Sequence, residues 1–582
     1  MIILGINAYH PNSSACLLIN GELKIAIEEE RINRIKNWSG LPIQAIDHCL
    51  MSQNLKISDI DNVAINQNFY ANIFSKLKYS LLNRPNISFL TKTINNKIKR
   101  EKLLKLLTKN FGDFKNNCKL IGIEHHHSHL ASAFYDSKYD TAVNVSVDGF
   151  GDFASTTWGL GKNENLIIDD KILFPHSLGV FYESFTQFLG FTNYGEEYKV
   201  MGLSSLGNAT ETSKIKKIIT FKKNGKFELN LSYFNHHKKK SNTYSFDNTM
   251  PKMDNLFSNN FVTLFGEPKK KNDKLNNYHL NLASSIQKVY EEILFHILNH
   301  VHQKYKVDNL TLSGGCAQNS LANGKILDNT NFKSLFVPPN PGDGGGSVGA
   351  AYSLWKNITK KKPKNSLGGY LGNSYNNNEV ENVIKQSKDK IKAEKCSYFF
   401  FEKEQALCDF TAKCLADNKV IGWFQGNMEW GPRALGNRSI LADPRNSNIK
   451  SILNIKIKRR ESFRPFAPSI LYEEANNWFE NFKDEEAYMS RVLYFKKDKS
   501  NLVPGVVHVD GSGRLQTVKS INNSRYYKLI KSFQKITGVP IILNTSFNEN
   551  EPIVFTPEQA LNCFLRTKMD LLIMENWVVV RN

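Results

Sequence analysis

The stretch Ile2-Ile3-Leu4-Gly5-Ile6-Asn7 opens a strand and loop pattern that decides the fold of this chain. A polar loop from His10 to Ser14 follows, and two further apolar runs, 15–19 and 22–27, are separated by Asn20-Gly21. An Asn-Gly pair favours a type I′ hairpin because both central residues of that turn need positive φ. The sequence therefore predicts three strands, of which the last two form a hairpin.

The same plan recurs at residues 142–173. Strands are predicted at 142–147, 154–160 and 166–173, and the polar loop Asp148-Gly149-Phe150-Gly151 follows the first of them. Helical segments follow each copy, so the chain is predicted to be α/β, with duplicated βββαβα units in two lobes around a cleft. Actin, hexokinase and the chaperone ATPases hold a nucleotide in such a two-lobed domain.

Two glycine-rich segments, 313–319 and 341–351, fit the second lobe, and the pair Gly314-Gly315 lets a backbone approach a ligand closely. Lysine, glycine and asparagine then dilute the apolar pattern between 355 and 378, which predicts a domain boundary. We therefore expect domains at 1–365 and 366–582. In the second, a helix at 404–418 and β-rich runs at 420–424, 539–543 and 571–580 predict a separate α/β fold.

Composition narrows the class of protein. The chain has 582 residues, a formal net charge of +21 and eight cysteines, without a C-x-x-C pair. No apolar run approaches the roughly 18 residues that a membrane span needs, and the apolar start lacks the basic flank of a signal peptide. We expect a cytoplasmic protein with reduced thiols. The positive charge suits nucleic acid or anionic small substrates such as ATP, although much of it lies in lysine tracts that are typical of solvated loops.

A metal site is predicted from histidine spacing. His125 and His129 stand one helical turn apart, and two imidazoles at that spacing can bind one transition-metal ion. A pair with this spacing is otherwise a structural feature of a helix. Asp148 after the predicted strand and Asp343 in the later glycine loop would complete a two-histidine, two-aspartate site.

His10 lies in the first polar loop. A neutral histidine there would accept the proton of an attacking alcohol, because its ordinary pKa near 6.5 suits general-base catalysis at neutral pH. The alternative is a simple hydrogen bond within the loop.

Basic residues in the second domain predict an anion or nucleotide pocket. They stand among glycine, proline and phenylalanine, which indicates side chains held by packing, and planar guanidinium groups match phosphate oxygens. Solvent-exposed charge or an RNA surface are the alternatives. The predicted pocket residues are Arg433, Lys458, Arg460, Arg464, His508 and Arg514, with Asn544 and Ser546 as supporting donors.

With these motifs, the chain resembles the NodU/TobZ-type O-carbamoyltransferases over nearly its whole length. The resemblance rests on the His10 loop, the HHxxH motif at 125–129, and the segments 147–149, 177–179, 197–203, 314–315, 342–343, 431–443, 463–468 and 544–547. It implies a TsaD-like domain of the actin-like ATPase superfold at 1–365 and a YrdC-like domain at 366–582.

The resemblance also implies an activity and its site residues. Carbamoyl phosphate and ATP, used with Mg²⁺, would give carbamoyl-adenylate in the YrdC-like domain, and an acceptor hydroxyl of a sugar, glycan or natural product would then take the carbamoyl group in the TsaD-like domain. His10 would be the catalytic base. The metal, held by His125, His129, Asp148 and Asp343, would be Fe²⁺, although another divalent metal would also fit. Gly314, Gly315 and Asn319 would line the adenylate.

Two positions depart from the family pattern: Asn12 replaces an aspartate, and Asn427 replaces an arginine. Two other functions stay open at this stage, a threonylcarbamoyl-adenosine type of tRNA modification and a nucleotide-binding regulatory protein without turnover. A hydrogenase-maturation enzyme would be expected to carry C-x-x-C zinc pairs, and this sequence has none. We expect no nucleic-acid partner, and the acceptor and the oligomeric state are left open.

Overall fold

A computed structural model describes residues 1–83, 102–238, 244–245, 248–365, 368–461 and 463–582, with the side chains of 244, 245 and 456 left aside. The chain divides into two compact units, Met1–Ser366 and Leu367–Asn582. Within the described ranges, no helix is both long and apolar enough to cross a bilayer.

The first sheet of the N-terminal unit contains the opening stretch. Its strands are β1 (Ile2–Asn7), β2 (Ser14–Ile19), β3 (Glu22–Glu28), β4 (Asn62–Ile65) and β5 (Lys119–Gly122), in the order β3-β2-β1-β4-β5. The predicted hairpin is present, because Asn20 and Gly21 both have positive φ, 49° and 79°. β4 and β5 continue the sheet in parallel with β1. The His10 loop therefore begins where β1 ends.

A second sheet repeats this plan. The next strands are β6 (Thr141–Gly151), β7 (Ala154–Lys162), β8 (Asn165–Leu173), β9 (Ile219–Phe221), β10 (Phe227–Leu229), β11 (Tyr244–Ser245), β12 (Lys252–Met253), β13 (Asn309–Ser313) and β14 (Ser334–Phe336). The sheet has the order β8-β7-β6-β13-β14, with antiparallel β6, β7 and β8 and parallel β13 and β14. β9 to β12 form two short hairpins. The strand order and directions match those of the first sheet, so the predicted duplication is present.

Helices surround both sheets. They are Glu30–Asn33, Ile43–Ser52, Ile73–Asn83, Leu103–Phe111, His125–Asp136, Leu178–Phe188, Glu197–Leu203, Thr212–Lys216, Asn259–Phe265, Asn277–Tyr305, Ser320–Asn329 and Gly346–Thr359, with short 3₁₀ turns at Ile57–Asp59, Ser204–Leu206, Leu231–Tyr233, Gly315–Gln318 and Asp343–Gly345. The helix at 125–136 packs closely on the helix at 346–359. A Cβ at Gly349 would lie only 1.8 Å from the Ser128 carbonyl oxygen, so glycine permits this approach.

The C-terminal unit is built on one mixed sheet. Its strands are β15 (Cys396–Phe400), β16 (Ile421–Phe424), β17 (Arg438–Ala442), β18 (Ala467–Leu471), β19 (Val492–Tyr494), β20 (Ser512–Arg514), β21 (Gln516–Val518), β22 (Ile541–Ser546), β23 (Leu571–Met574) and β24 (Trp577–Arg581). The order is β15-β24-β23-β16-β17-β22-β18-β21, and β19 pairs with β20. The β-rich run at 571–580 is a hairpin, because Glu575 has positive φ and the chain reverses there.

The helices of this unit are Asn377–Gln386, Lys388–Ala393, Glu404–Ala416, Ile449–Ile452, Ala475–Trp478, Lys497–Ser500, Ser524–Thr537 and Pro557–Arg566, with a π-helical turn at Leu453–Ile457 and a 3₁₀ turn at Tyr472–Glu474. Their apolar faces and the sheet enclose a core around the fully buried Trp423. Both units combine helices with sheets, which confirms the predicted α/β class.

Candidate functional site

Two histidines and two aspartates converge in the N-terminal unit. His125 Nε2 lies 3.1 Å from His129 Nε2 and 3.1 Å from Asp148 Oδ2, and 3.5 Å from Asp343 Oδ1. His129 Nε2 lies 3.4 Å from both carboxylates. Ligand atoms about 2.1 Å from a transition metal stand roughly 3.0–3.4 Å apart around it. The spacing of these four donors therefore fits one metal ion, and the site joins residues from both halves of the unit.

The helix at 125–136 presents the two imidazoles. Glu124 caps it by accepting the His127 amide at 2.7 Å, and Asp152 accepts the amides of His125 and Asn68 at 3.0 and 2.7 Å. Asp152 therefore anchors the first turn of this helix to the loop after β4. Its role had no signal in the sequence, because its partners lie 27 and 84 residues away.

The histidines and aspartates of this cluster shift each other's pKa values. Burial disfavours a charged imidazole, but hydrogen bonds to Asp148 and Asp343 outweigh burial and raise the pKa of His129 to about 9. Burial would raise the pKa of the Asp148 carboxyl, yet the two imidazoles hold it well below its ordinary value. The pKa of Asp343 is lowered as well, so both carboxyls favour the ionised form that a metal ligand needs.

His10 lies beside this cluster of four candidate metal ligands. Its ring stacks on His125 with centroids 5.0 Å apart, and Nδ1 lies 3.8 Å from Asp343 Oδ2. Asn7 shapes the loop by donating to the carbonyls of Pro11 and Asn12 at 3.0 and 3.1 Å. The catalytic role predicted for His10 stays a prediction, but the structure brings its imidazole to the four candidate ligands.

The glycine pair after β13 contacts a candidate ligand. The Gly315 amide donates to Asp148 Oδ1 at 2.9 Å, and Gly314 has a φ of +87° that favours glycine. A Cβ at 314 would lie 2.2 Å from the Val147 carbonyl oxygen. Gly315 therefore helps to orient a carboxylate of the cluster, and Gly314 permits the close approach to Val147; the adenylate contact that the resemblance implies for both stays a prediction.

Asn319 caps the next helix and joins an amide network. It accepts the Ala322 amide at 3.1 Å and exchanges two hydrogen bonds with Gln287, at 3.0 and 3.1 Å. Its predicted contact with the adenylate stays a prediction.

The departure at Asn12 has a structural account. Its φ is +53°, a conformation that asparagine and aspartate tolerate better than most residues. Its Nδ2 donates to Asn37 Oδ1 at 3.3 Å, which an aspartate could not do. Asn427, the other departure, is exposed, and its carbonyl accepts from Asn437 Nδ2 at 2.7 Å.

Four arginines gather in the C-terminal unit. Arg514 is largely buried, and its pKa is lowered by that burial and by the neighbouring charges of Arg433, Arg460 and Arg464. Arg433 in the loop before β17, and Arg460 and Arg464 in the segment before β18, therefore lie close enough to Arg514 in β20 for their charges to affect its pKa. Such mutual repulsion is relieved when a polyanion binds between them.

Lys458 follows the π-helical turn and is buried, with 1% exposure. Its ammonium donates to Asn548 Oδ1 at 2.7 Å, to the Asn548 carbonyl at 3.0 Å and to Ser546 Oγ at 3.2 Å. The sequence placed Lys458 and Ser546 in one site, and the structure brings them into contact.

Asn544 lies beneath the Arg433 loop. It is 1% exposed, and its Nδ2 donates to the Ala434 carbonyl at 3.2 Å and to Gln516 Oε1 at 3.1 Å. Glu429 holds the same loop from its other end, because one carboxylate oxygen accepts the amides of Leu435, Asn437 and Arg438 at 2.7, 2.8 and 3.0 Å. Asn544 therefore supports the loop that carries Arg433, and sequence reasoning missed Glu429.

His508 adds a neutral group. Burial and the charges of Arg514 and Lys450 outweigh Asp510 and lower its pKa to about 4. Its Nδ1 lies 3.1 Å from Ser512 Oγ. The lowered pKa favours the neutral imidazole, so in the pocket predicted for His508 and the arginines it would act by hydrogen bonding rather than by charge.

Family profiles match both units of the chain. A profile described as carbamoyltransferase N-terminus matches residues 2–352, and one described as carbamoyltransferase C-terminus matches residues 412–581.

Individual relatives agree with this match. An uncharacterized protein of Synechocystis sp., sll1178, is 36% identical over 614 residues, covering 100% of this chain and 96% of that protein. Nodulation protein NolNO of Sinorhizobium fredii is 34% identical over 585 residues, 98% of this chain and 79% of its own length. The 3′-hydroxymethylcephem-O-carbamoyltransferase of Amycolatopsis lactamdurans is 33% identical over 272 residues, 46% of this chain and 48% of its own length. The resemblance inferred from the motifs is confirmed: the chain belongs to the carbamoyltransferase family.

Proposed function

We propose that this protein is an ATP-dependent O-carbamoyltransferase that works through carbamoyl-adenylate. The C-terminal unit, a YrdC-like domain in this proposal, makes the intermediate, and the N-terminal unit, a TsaD-like domain of the actin-like superfold, transfers its carbamoyl group. The observation that carries the proposal is the cluster of Arg514 with Arg433, Arg460 and Arg464, because a family member that handles phosphates needs a site of this kind.

The first half-reaction consumes two phosphate compounds. Water cleaves carbamoyl phosphate to carbamate and phosphate, and a carbamate oxygen then attacks the α-phosphorus of ATP, with pyrophosphate as the leaving group. Arg433, Arg460, Arg464 and Arg514 stabilise the phosphate oxygens, Lys458 adds a further cation, and Mg²⁺ accompanies ATP. Coupling to AMP gives carbamate a good leaving group, and an enclosed site limits hydrolysis.

The second half-reaction uses His10. Its imidazole takes the proton of the acceptor hydroxyl while the oxygen attacks the carbamoyl carbon, and AMP leaves with the electrons of the broken C–O bond. A metal held by His125, His129, Asp148 and Asp343 would act as a Lewis acid toward the adenylate; Fe²⁺ is the ion that the family resemblance implies. A small-molecule or glycan hydroxyl is the proposed acceptor.

Exchange of labelled pyrophosphate into ATP, dependent on carbamoyl phosphate, tests the first half-reaction. We expect exchange by the wild-type protein and loss of exchange in Arg460→Ala. Arg459→Asn is the matched control, because Arg459 is exposed, pairs with Glu549 at 3.1 Å, and has a positive φ that asparagine tolerates. Absence of exchange in the wild type, or an activity that requires RNA, would contradict the proposal.

A further inference from the structure

Asn454 connects two arginines of the C-terminal cluster. It is fully buried, and its Oδ1 accepts a hydrogen bond from Arg460 Nε at 2.8 Å. Its Nδ2 donates to the Arg464 carbonyl at 3.2 Å, and its own carbonyl accepts the Arg460 amide at 3.1 Å. One side chain therefore fixes a guanidinium group and the backbone of the next arginine.

These contacts restrict how Arg460 presents its charge. The Nε edge is held by Asn454, and the guanidinium carbon lies 4.9 Å from the centroid of the Phe466 ring. An unrestrained arginine side chain populates many rotamers, and the loss of that freedom opposes binding of a ligand. A guanidinium held in place before the anion arrives avoids much of that cost.

The backbone around Asn454 is specialised. Residues Leu453–Ile457 form a π-helical turn, and the Lys458 amide donates to the Leu453 carbonyl five residues earlier at 2.8 Å. Isolated π-helical turns are rare and occur frequently at functional sites. Here the turn begins just before Asn454 and ends just before Lys458. Asn454 contacts Arg460 and Arg464, whereas Lys458 contacts Ser546 and Asn548.

The choice of an amide has an electrostatic consequence. An aspartate at 454 would also accept from Arg460 Nε, but its negative charge would cancel part of the positive potential that attracts a phosphate. Asparagine orients the guanidinium and leaves its charge available.

We propose that Asn454 is a positioning residue of the anion site, which orients Arg460 and Arg464 toward the phosphates of ATP and carbamoyl phosphate. This inference rests on the proposed function of the C-terminal unit. Asn454 acts through the arginines and does not itself contact a phosphate.

A double-mutant cycle tests the inference, with KM for carbamoyl phosphate and kcat measured in the exchange assay. We expect Asn454→Ala and Asn454→Asp to raise KM roughly ten- to hundredfold, with a smaller effect on kcat. Because Arg460→Ala is expected to abolish exchange, the cycle itself is measured as ATP affinity by calorimetry. In the Arg460→Ala background, Asn454→Ala is expected to lower this affinity little further. Ile455→Ala, at a position 64% exposed on the same turn, serves as the control and should match the wild type.

The outcomes separate positioning from a purely structural role. Equal loss of ATP affinity from Asn454→Ala in both backgrounds, or an Asn454→Asp variant with wild-type KM, would overturn the inference. If the wild-type protein shows no exchange, the proposed function fails first. The ATP affinities from calorimetry then decide alone: additive effects of Asn454→Ala and Arg460→Ala would refute a positioning role, and non-additive effects would support it.

Discussion

Replacing Gly151 with alanine should disrupt the candidate metal-binding cluster. A Cβ at 151 would lie 2.0 Å from His125 Cδ2 and 2.5 Å from its Nε2, the atom that faces the other three ligands. Ordinary contacts begin near 3.4 Å, so the ring has to move by about 1.4 Å. Metal–ligand distances tolerate only about 0.2 Å. We therefore expect metal affinity to fall roughly ten- to hundredfold, with about 1–3 kcal/mol lost from the free energy of unfolding.

The assay is the metal content per chain after dialysis against a graded series of chelator concentrations, with thermal unfolding measured in parallel. Gly149→Ala is the matched control, because a Cβ there meets no described atom within 4 Å. The control should bind metal as the wild type does. A Gly151→Ala protein with wild-type metal content at every chelator concentration would refute the reasoning.

Three further expectations follow from named contacts. His10→Asn should retain carbamoyl phosphate-dependent exchange and lose carbamoylation of a hydroxyl acceptor, seen by mass spectrometry; loss of both half-reactions together would argue against separate sites. Glu429→Ala should lower the free energy of unfolding, measured by urea denaturation, by about 3 kcal/mol or more, because three buried amides lose their acceptor. Glu429→Gln should lower it less, and equal losses of unfolding free energy in the two variants would count against this. Burial, opposed by the Ala45 and Gln44 amides, raises the pKa of Glu29 to about 7. The stability that the protonated Glu29 carboxyl contributes is therefore fully present below the unfolded-state pKa near 4.3 and is lost as the pH rises through 7. Glu29→Gln should therefore gain stability relative to the wild type between pH 5 and pH 8, and a constant difference would contradict this.

Local patterns made much of the N-terminal unit predictable. Asn20-Gly21 fixed a hairpin through its positive φ angles, and the spacing of His125 and His129 placed two imidazoles on one helix face. The aspartates could be proposed because each follows a recognisable strand or glycine loop. What the sequence did not reveal was the support between distant residues: the amide of Gly315 meets Asp148 across 167 positions.

The C-terminal unit was harder to predict, for a different reason. Arginine, glycine and proline marked the candidate anion site, but the side chains that support those arginines and their loop are ordinary asparagines and a glutamate. Asn454 has no distinguishing neighbour in the sequence, and the π-helical turn that orients it leaves no periodic signal. The predicted role of Asn544 as a donor to the ligand stays a prediction; its bond to the Ala434 carbonyl, 110 residues away, left no signal in the sequence.

The most direct test of the account is to identify the products formed from ATP and carbamoyl phosphate labelled with ¹³C at the carbonyl. Mass spectrometry of the wild-type protein, quenched early, should detect pyrophosphate and the labelled carbonyl attached to AMP. Formation of ADP with no labelled nucleotide, or transfer of the carbamoyl group to an acceptor without ATP, would contradict the account.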